Sequence, residues 1–306
     1  MTNFDLKKEY QPKPFLDLHN LNLKTPPTFE NSDAVIVPFG FEGTVTFGHG
    51  TDRGPQGLIE ASYQVETFDD ELLDDVPNHV KIWTTQQPQL PKDAMAACST
   101  LKQITSEIID AKKLPVVIGG EHSISYGFAQ SLNDKYKDVS VLVFDSHLDL
   151  GDQWSASGFT HAAWLKYSLG LANIKKATLV GIRNFNKLEY KFWQDNQDRV
   201  KVFLSKNRKN WNVDEIVNSL GDNVYLSFDI DAFDASMIPA TGTPEPGGPM
   251  WDEILPIIRA VAARKNIVGI DLVELAPIKD LMAPNFMAAK LLMKMIMYKF
   301  KAKDLK

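Results

Sequence analysis

The chain has 306 residues, 44% hydrophobic and 24% charged, with one cysteine and a formal net charge of −6. That composition belongs to globular rather than disordered chains, and the acidic balance argues against a protein whose main work is gripping phosphate backbones. A lone Cys98 excludes an internal disulfide and a thiolate-built structural zinc site.

Residues 1–33 hold Pro12, Pro14, Pro26 and Pro27 and read as an extended N-terminal arm packed on the surface. From Ala34 onward, short apolar runs alternate with longer helical patterns. Strands are expected at 34–39, 80–84, 115–118, 139–144, 177–181, 200–204, 223–228 and 266–270. Helices are expected between and after them, at 56–68, 93–111, 123–133, 161–171, 186–196, 213–220, 251–264 and 284–300. Several of the strand runs are apolar at consecutive positions, the habit of strands buried on both faces in a parallel sheet. Strand–helix alternation then predicts a three-layer α/β/α fold around a central, mostly parallel sheet of about eight strands. No Pro/Gly/Ser-rich linker and no internal repeat divides the chain, so 34–306 is expected to form one domain behind the arm.

Residues 1–8 carry Asp5, Lys7 and Lys8 and lack the apolar core of a signal peptide. The apolar stretch 286–298 falls short of the roughly 20 residues a membrane span needs and is punctuated by Lys290 and Lys294. The expectation is a cytoplasmic protein with neither membrane nor nucleic-acid partners. Cys98 and the methionines Met287, Met293, Met295 and Met297 read as packed helix positions, and 299–306 as a solvated tail.

Three of the expected strands end in residues able to hold a metal. The strand at 139–144 runs into Asp145-Ser146-His147-Leu148-Asp149; in extended chain, residues two apart point to the same side, so both aspartates and the histidine can converge. The strand at 223–228 runs into Asp229-Ile230-Asp231, where the same logic pairs two carboxylates. The strand at 115–118 runs into Gly119-Gly120-Glu121-His122-Ser123, with two glycines that let backbone approach closely and a histidine at a helix start. Ligands of open parallel sheets lie beyond the carboxyl ends of the strands. Two histidines and four aspartates gathered there suit two divalent cations bridged by shared carboxylates and a solvent molecule. A ligand set rich in carboxylate and free of thiolate favours a harder ion such as manganese over structural zinc. Such a pair makes water a nucleophile near neutral pH, so the residues predict metal-assisted hydrolysis.

These motifs, followed by Thr241-Gly242-Thr243-Pro244-Glu245-Pro246-Gly247-Gly248 and Asp271-Leu272-Val273-Glu274-Leu275-Ala276-Pro277, stand in the order seen in the ureohydrolases, the family of arginases and agmatinases. The chain resembles that family from about Ala34 to Tyr298. The resemblance implies one manganese held by His122, Asp145, Asp149 and Asp229, and a second held by Asp145, His147, Asp229 and Asp231, with Asp145 and Asp229 as bridges. It also implies proton transfer by His161, in Phe159-Thr160-His161-Ala162, and capture of a guanidinium by Glu274, a role that suits a carboxylate's capacity for two parallel hydrogen bonds. The implied reaction is attack of a metal-bridging hydroxide on a guanidinium carbon, with the metals and Asp231 supporting the tetrahedral intermediate. Urea and an amine are the products.

Within the family, the segment Gly50-Thr51-Asp52-Arg53-Gly54-Pro55 and the residues after it are similar to the early part of bacterial and archaeal agmatinases. The acidic residues that follow the Gly-x-Arg motif in arginases are replaced here by Asn184 and Asn186. The expected activity is therefore manganese-dependent hydrolysis of agmatine to putrescine and urea. The alternatives are guanidinobutyrase, arginase or formimidoylglutamase activity, or a non-catalytic relative. A carboxylate-tailed substrate would need a cation or donor at the pocket rim, for which Arg53, His49 and Arg183 are candidates. Ser146, Ala235 and Ala240 depart from the family's usual Ala, Pro and Gly, and Trp154 is expected to shape the entrance. The family's habit implies a homo-oligomer, a trimer or hexamer.

Overall fold

The computed structural model describes residues 4–20, 23–151 and 159–305. Strand β1 (Ala34–Phe39) is buried along its whole length. The other strands are β2 (Phe68–Asp69), β3 (Asp74–Asp75), β4 (Ile82–Thr84), β5 (Leu114–Gly119), β6 (Val139–Phe144), β7 (Ile174–Ile182), β8 (Val200–Leu204), β9 (Asn223–Asp229) and β10 (Asn266–Val273). Eight of them form one sheet in the order β4-β1-β5-β10-β9-β6-β7-β8. Every pairing within it is parallel. The short β2 and β3 pair antiparallel with each other.

Side chains alternate across this sheet and feed two cores. Ala34, Ile36, Val116, Ile118, Leu142 and Phe144 face one way, against α1 (Gly54–Ser62), α6 (Val213–Asn218), α7 (Trp251–Arg264) and α8 (Ala283–Lys301). Val35, Val37, Phe39, Val117, Val141 and Val143 face the other way, against α2 (Ala94–Asp110), α3 (Ser125–Lys135) and α4 (Trp164–Leu169). Each fully buried aliphatic side chain contributes about 1.5–3 kcal/mol of transfer free energy, so strands that are apolar on both faces are stable only with helices on both sides. The three-layer, parallel architecture expected from the sequence is the one observed. Among the described residues, no helix is long and apolar enough to cross a membrane.

Two helices differ from expectation. The pattern over 56–68 predicts one helix, but α1 ends at Ser62 and the chain turns into β2. That turn brings the buried Asp69 to 2.8 Å from Nζ of Lys294 on α8, an ion pair a continued helix would not make. The segment after Thr160 begins as a single 3-10 turn, His161–Ala163, before α4. Helix α5 (Lys187–Asp195) starts on a capping box in which Asn186 accepts the amides of Leu188 and Glu189, and Glu189 accepts the amide of Asn186.

The first segment is tied to the β4 edge. Trp83 donates its indole N–H to the carbonyl of Leu6, Tyr10 donates its amide to Thr84, and Phe15 and Leu18 are fully buried. Covering an edge strand in this way removes a row of unpaired backbone groups.

The sheet order places the site. The strands on either side, β4-β1-β5 and β6-β7-β8, are bridged by β10 and β9, the last two in the chain. The carboxyl ends of β5, β10, β9 and β6 therefore lie side by side in the middle of the sheet.

Candidate metal centre

Each of the four central strands delivers chemistry as it ends. After β5, Gly120 must lie against the backbone of Phe41: a Cβ built there would stand 1.9 Å from the Phe41 carbonyl oxygen. The glycine makes room for neighbouring chain, and His122 follows in a 3-10 turn, His122–Ile124. After β6, the chain bends, and Asp149 takes a left-handed conformation with φ 50. The convergence of Asp145, His147 and Asp149 thus comes from a bent loop and not from strand alternation. Asp229 closes β9, and its Oδ1 accepts the amide of Asp231 at 2.9 Å. Glu274 follows β10, also left-handed at φ 64, with its amide donated to the Gly120 carbonyl. Non-glycine residues held in that region cost about 1–3 kcal/mol each and persist where surrounding structure enforces them.

The six residues meet in two groups. Nδ1 of His122 lies 3.2 Å from Asp145 Oδ2, 3.3 Å from Asp149 Oδ2 and 3.2 Å from Asp229 Oδ2. Nδ1 of His147 lies 3.1 Å from Asp231 Oδ2 and 3.5 Å from Asp145 Oδ1. Asp145 turns one oxygen to each group and bridges them. Asp229 turns one oxygen to the first group only, its other oxygen being engaged by the Asp231 amide.

The residues fit a pair of divalent ions. His122 Nδ1 and Asp145 Oδ2 are both buried and have no hydrogen-bond partner, a state that costs about 1–3 kcal/mol per group unless something else occupies it. Donor atoms about 3 Å apart are also the spacing on the edges of a coordination shell with bonds of about 2.1 Å. The other ring nitrogen of His122, Nε2, is held at 2.9 Å by Ser227 Oγ, and Trp164 packs on the ring at 4.5 Å between centroids. Such outer partners aim a ligating imidazole.

Electrostatics make the same case. Burial disfavours charge on His122, Asp145, His147, Asp149 and Asp229. Burial and the carboxylates of their neighbours push Asp149 and Asp229 above the ordinary carboxylate range. Burial opposes ionisation of Asp145 too, yet His122 and His147 beside it hold it well below that range. Both histidines are pushed well upward by the surrounding carboxylates, against the effect of burial. All these shifts express one demand, for positive charge among the carboxylates, which divalent cations meet.

The cluster opens into a cavity of about 530 Å³ that is also lined by Thr44, Phe47, His161, Asn184, Glu189 and Glu274. Glu274 is buried, and burial beside Glu121 pushes its carboxyl up to about 8. His161 is held by Thr44, whose Oγ1 lies 3.1 Å from its Nδ1 and 2.9 Å from its amide. Every described candidate site residue therefore falls at one end of the sheet, around one cavity.

None of the three rim candidates is among the residues that line the cavity. His49 is exposed and bonded to Glu42, and Arg53 is exposed beside Asp52. Arg183 donates its guanidinium hydrogens to the carbonyls of Gly181, Asp231, Ala232, Phe233, Glu245 and Pro246, which consumes it as a staple between two loops. Among the described residues, no lysine or arginine lines the cavity. Trp154 lies outside the described residues. The residues beside the altered Ala235 form a turn in which Asp234 accepts the amides of Ser236, Gly247 and Gly248. Ala240 is buried, and its carbonyl accepts the Ala276 amide.

Thr44 and Glu121 are site residues that the motifs did not single out. Glu121 stood inside Gly119-Gly120-Glu121-His122, so its position was visible, but Thr44 had no local signal at all.

Comparison with known proteins completes the picture. A family profile described as Arginase family matches residues 32–298. The chain is 29% identical over 302 residues to the N(1)-aminopropylagmatine ureohydrolase of Synechocystis sp., covering 94% of each chain. It is 31% identical over 272 residues to the agmatinase of Pyrococcus horikoshii, covering 86% of this chain and 90% of that protein. In fold, it is similar to the crystal structure of agmatine ureohydrolase of Thermoplasma volcanium, with a TM-score of 0.80, 24% identity and 95% of each chain covered.

Proposed function

The chain belongs to the arginase family, and from that premise we propose that it hydrolyses agmatine to putrescine and urea with two manganese ions as cofactor. The observation that carries this reading is one cavity that joins the His/Asp cluster to Glu274 and His161, with no lysine or arginine among its described lining.

His122, Asp145, Asp149 and Asp229 would hold one ion, and Asp145, His147 and Asp231 the other, to which the family resemblance adds Asp229. Two such ions supply Lewis acidity, which makes water a nucleophile near neutral pH. Glu274 receives the guanidinium: a carboxylate raised by burial gains most from a cationic partner, and its geometry allows two parallel hydrogen bonds. That fixes the guanidinium carbon over the cluster. Asp231 lines the same cavity and supports the tetrahedral intermediate. His161 gives a proton to the departing amine, which cannot leave as an anion.

The tail sets the substrate. A carboxylate tail, as in arginine, 4-guanidinobutyrate or formiminoglutamate, finds no fixed cation at the described rim. An ammonium tail finds Glu189 in the cavity wall and the face of Phe47, which is 78% exposed. The longer substrate in the name of the Synechocystis relative has the same guanidinium head and also ends in an amine, so it is the second candidate. Urea release from agmatine with manganese present tests the reading. Manganese bound, fold intact and no urea formed would overturn it.

A further inference from the structure

Resting on the function proposed above, we propose that Thr44 and Glu121 are positioning residues that fix the tautomer of His161, so that Nε2 is the nitrogen that exchanges a proton with the substrate. Glu121 is wholly buried next to the candidate ligand His122. Its Oε2 accepts the amides of Gly43 at 2.7 Å and Thr44 at 2.6 Å. Its Oε1 accepts the hydroxyls of Thr44 at 2.6 Å and Ser123 at 2.5 Å.

Hydrogen counting then decides the direction of the next link. Thr44 Oγ1 lies near three groups: Glu121 Oε1, the His161 amide and His161 Nδ1. The amide can only donate, so Oγ1 accepts from it. The hydroxyl has one hydrogen, and two groups could take it. The carboxyl oxygen is closer, 2.6 Å against 3.1 Å, and the other neighbours of the Glu121 carboxyl, the amides of Gly43 and Thr44 and the Ser123 hydroxyl, all donate to it, so it stands as an acceptor. The hydrogen goes to Glu121, and Oγ1 has only lone pairs to offer the ring. Nδ1 must therefore carry a hydrogen and donate it. In a neutral imidazole the other nitrogen is then the acceptor, so Nε2 takes up the proton it later delivers. The same two residues fix the ring's orientation, because amide and ring of His161 share one oxygen. The device spans three distant stretches of chain: Thr44 is 77 positions from Glu121 and 117 from His161.

The test uses the chain with nitrogen-15 histidine, loaded with a diamagnetic divalent ion, at a pH where the ring is neutral. His161 is assigned by its loss in His161→Gln. The expected spectrum has Nδ1 protonated and Nε2 unprotonated; Thr44→Val removes this preference and Thr44→Ser keeps it. With manganese, Thr44→Val should lower kcat for agmatine about 100-fold, the scale of general acid–base catalysis. Its KM should stay within about twofold and its manganese content unchanged, and Thr44→Ser should recover kcat to within about threefold. A native spectrum with the hydrogen on Nε2, native kcat in Thr44→Val, or no recovery in Thr44→Ser would each overturn the proposal. If the native chain releases no urea from any guanidine, the proposed function fails while the spectra still decide the tautomer.

Discussion

The main-chain amide of His122 donates to Oε1 of Glu274 across 2.6 Å, although the two residues stand 152 positions apart. One hydrogen bond thus couples a candidate metal ligand to the carboxylate proposed to hold the substrate. Glu274 makes this contact from a left-handed backbone, φ 64. Glu274→Gln keeps an acceptor for the His122 amide and removes the charge. The expected result is unchanged manganese content and a fall in kcat/KM of about 100-fold, the rate equivalent of one charge-assisted hydrogen bond of about 2–3 kcal/mol. Metal analysis beside steady-state kinetics checks it.

Asp145 alone presents its two oxygens to the two groups of donors. Asp145→Asn retains an acceptor for the amide of His147, which lies 2.6 Å from Oδ1, but loses the bridging charge. The variant should stay folded by circular dichroism, bind fewer than two manganese ions per chain and release no measurable urea. Chelation of the native chain should do the same, reversibly on manganese return.

Arg183 is a structural staple and not a receptor for substrate tails. Arg183→Ala strands six carbonyls around the loop that carries Asp231. The loss should be about 3 kcal/mol in unfolding free energy, with the net worth of each bond near 1 kcal/mol and water recovering part of it. Denaturant unfolding measures this. The ratio of activities on agmatine and 4-guanidinobutyrate should not change, whereas a direct contact with a carboxylate tail would alter it.

Asp234 gives the turn after β9 a pH signature. The Ser236 hydroxyl, then the amides of Ser236, Gly247 and Gly248, hold its carboxyl down to about 2 from an ordinary 3.8. A carboxyl lower in the folded than the unfolded state stabilises above the unfolded value, and the effect fades as pH falls through the folded one. The stability advantage of the native chain over Asp234→Asn should hold at pH 5 and above and shrink as pH falls from about 4 to about 2. Unfolding midpoints across that range check the sign.

Much of the fold was legible because parallel strands announce themselves. Runs such as Val139–Phe144, apolar at five of six positions and buried along their whole length, leave no exposed side and force helices onto both. The ligand residues were legible because they cluster in sequence at strand ends. The mode of convergence was not: Asp149 reaches the cluster through a left-handed turn that a two-residue periodicity cannot foresee. The end of α1 was hidden for a different reason, since the charge pair of Asp69 with Lys294 joins positions far apart in the chain. Arg183 read as a possible rim cation because a sequence shows charge and not which carbonyls will surround it. Thr44 was invisible, a hydroxyl in a loop whose meaning comes only from the two residues it touches.

The central claim is that this cavity takes a guanidinium with a cationic tail. The most direct measurement is kcat/KM for urea release from agmatine, N(1)-aminopropylagmatine, arginine and 4-guanidinobutyrate, and for formamide release from formiminoglutamate, each with manganese. The account predicts that an amine-tailed guanidine, agmatine foremost, exceeds every carboxylate-tailed compound by about 100-fold or more, the cost of leaving a charge without a partner at the rim. Turnover of 4-guanidinobutyrate or arginine with agmatine inert would contradict it.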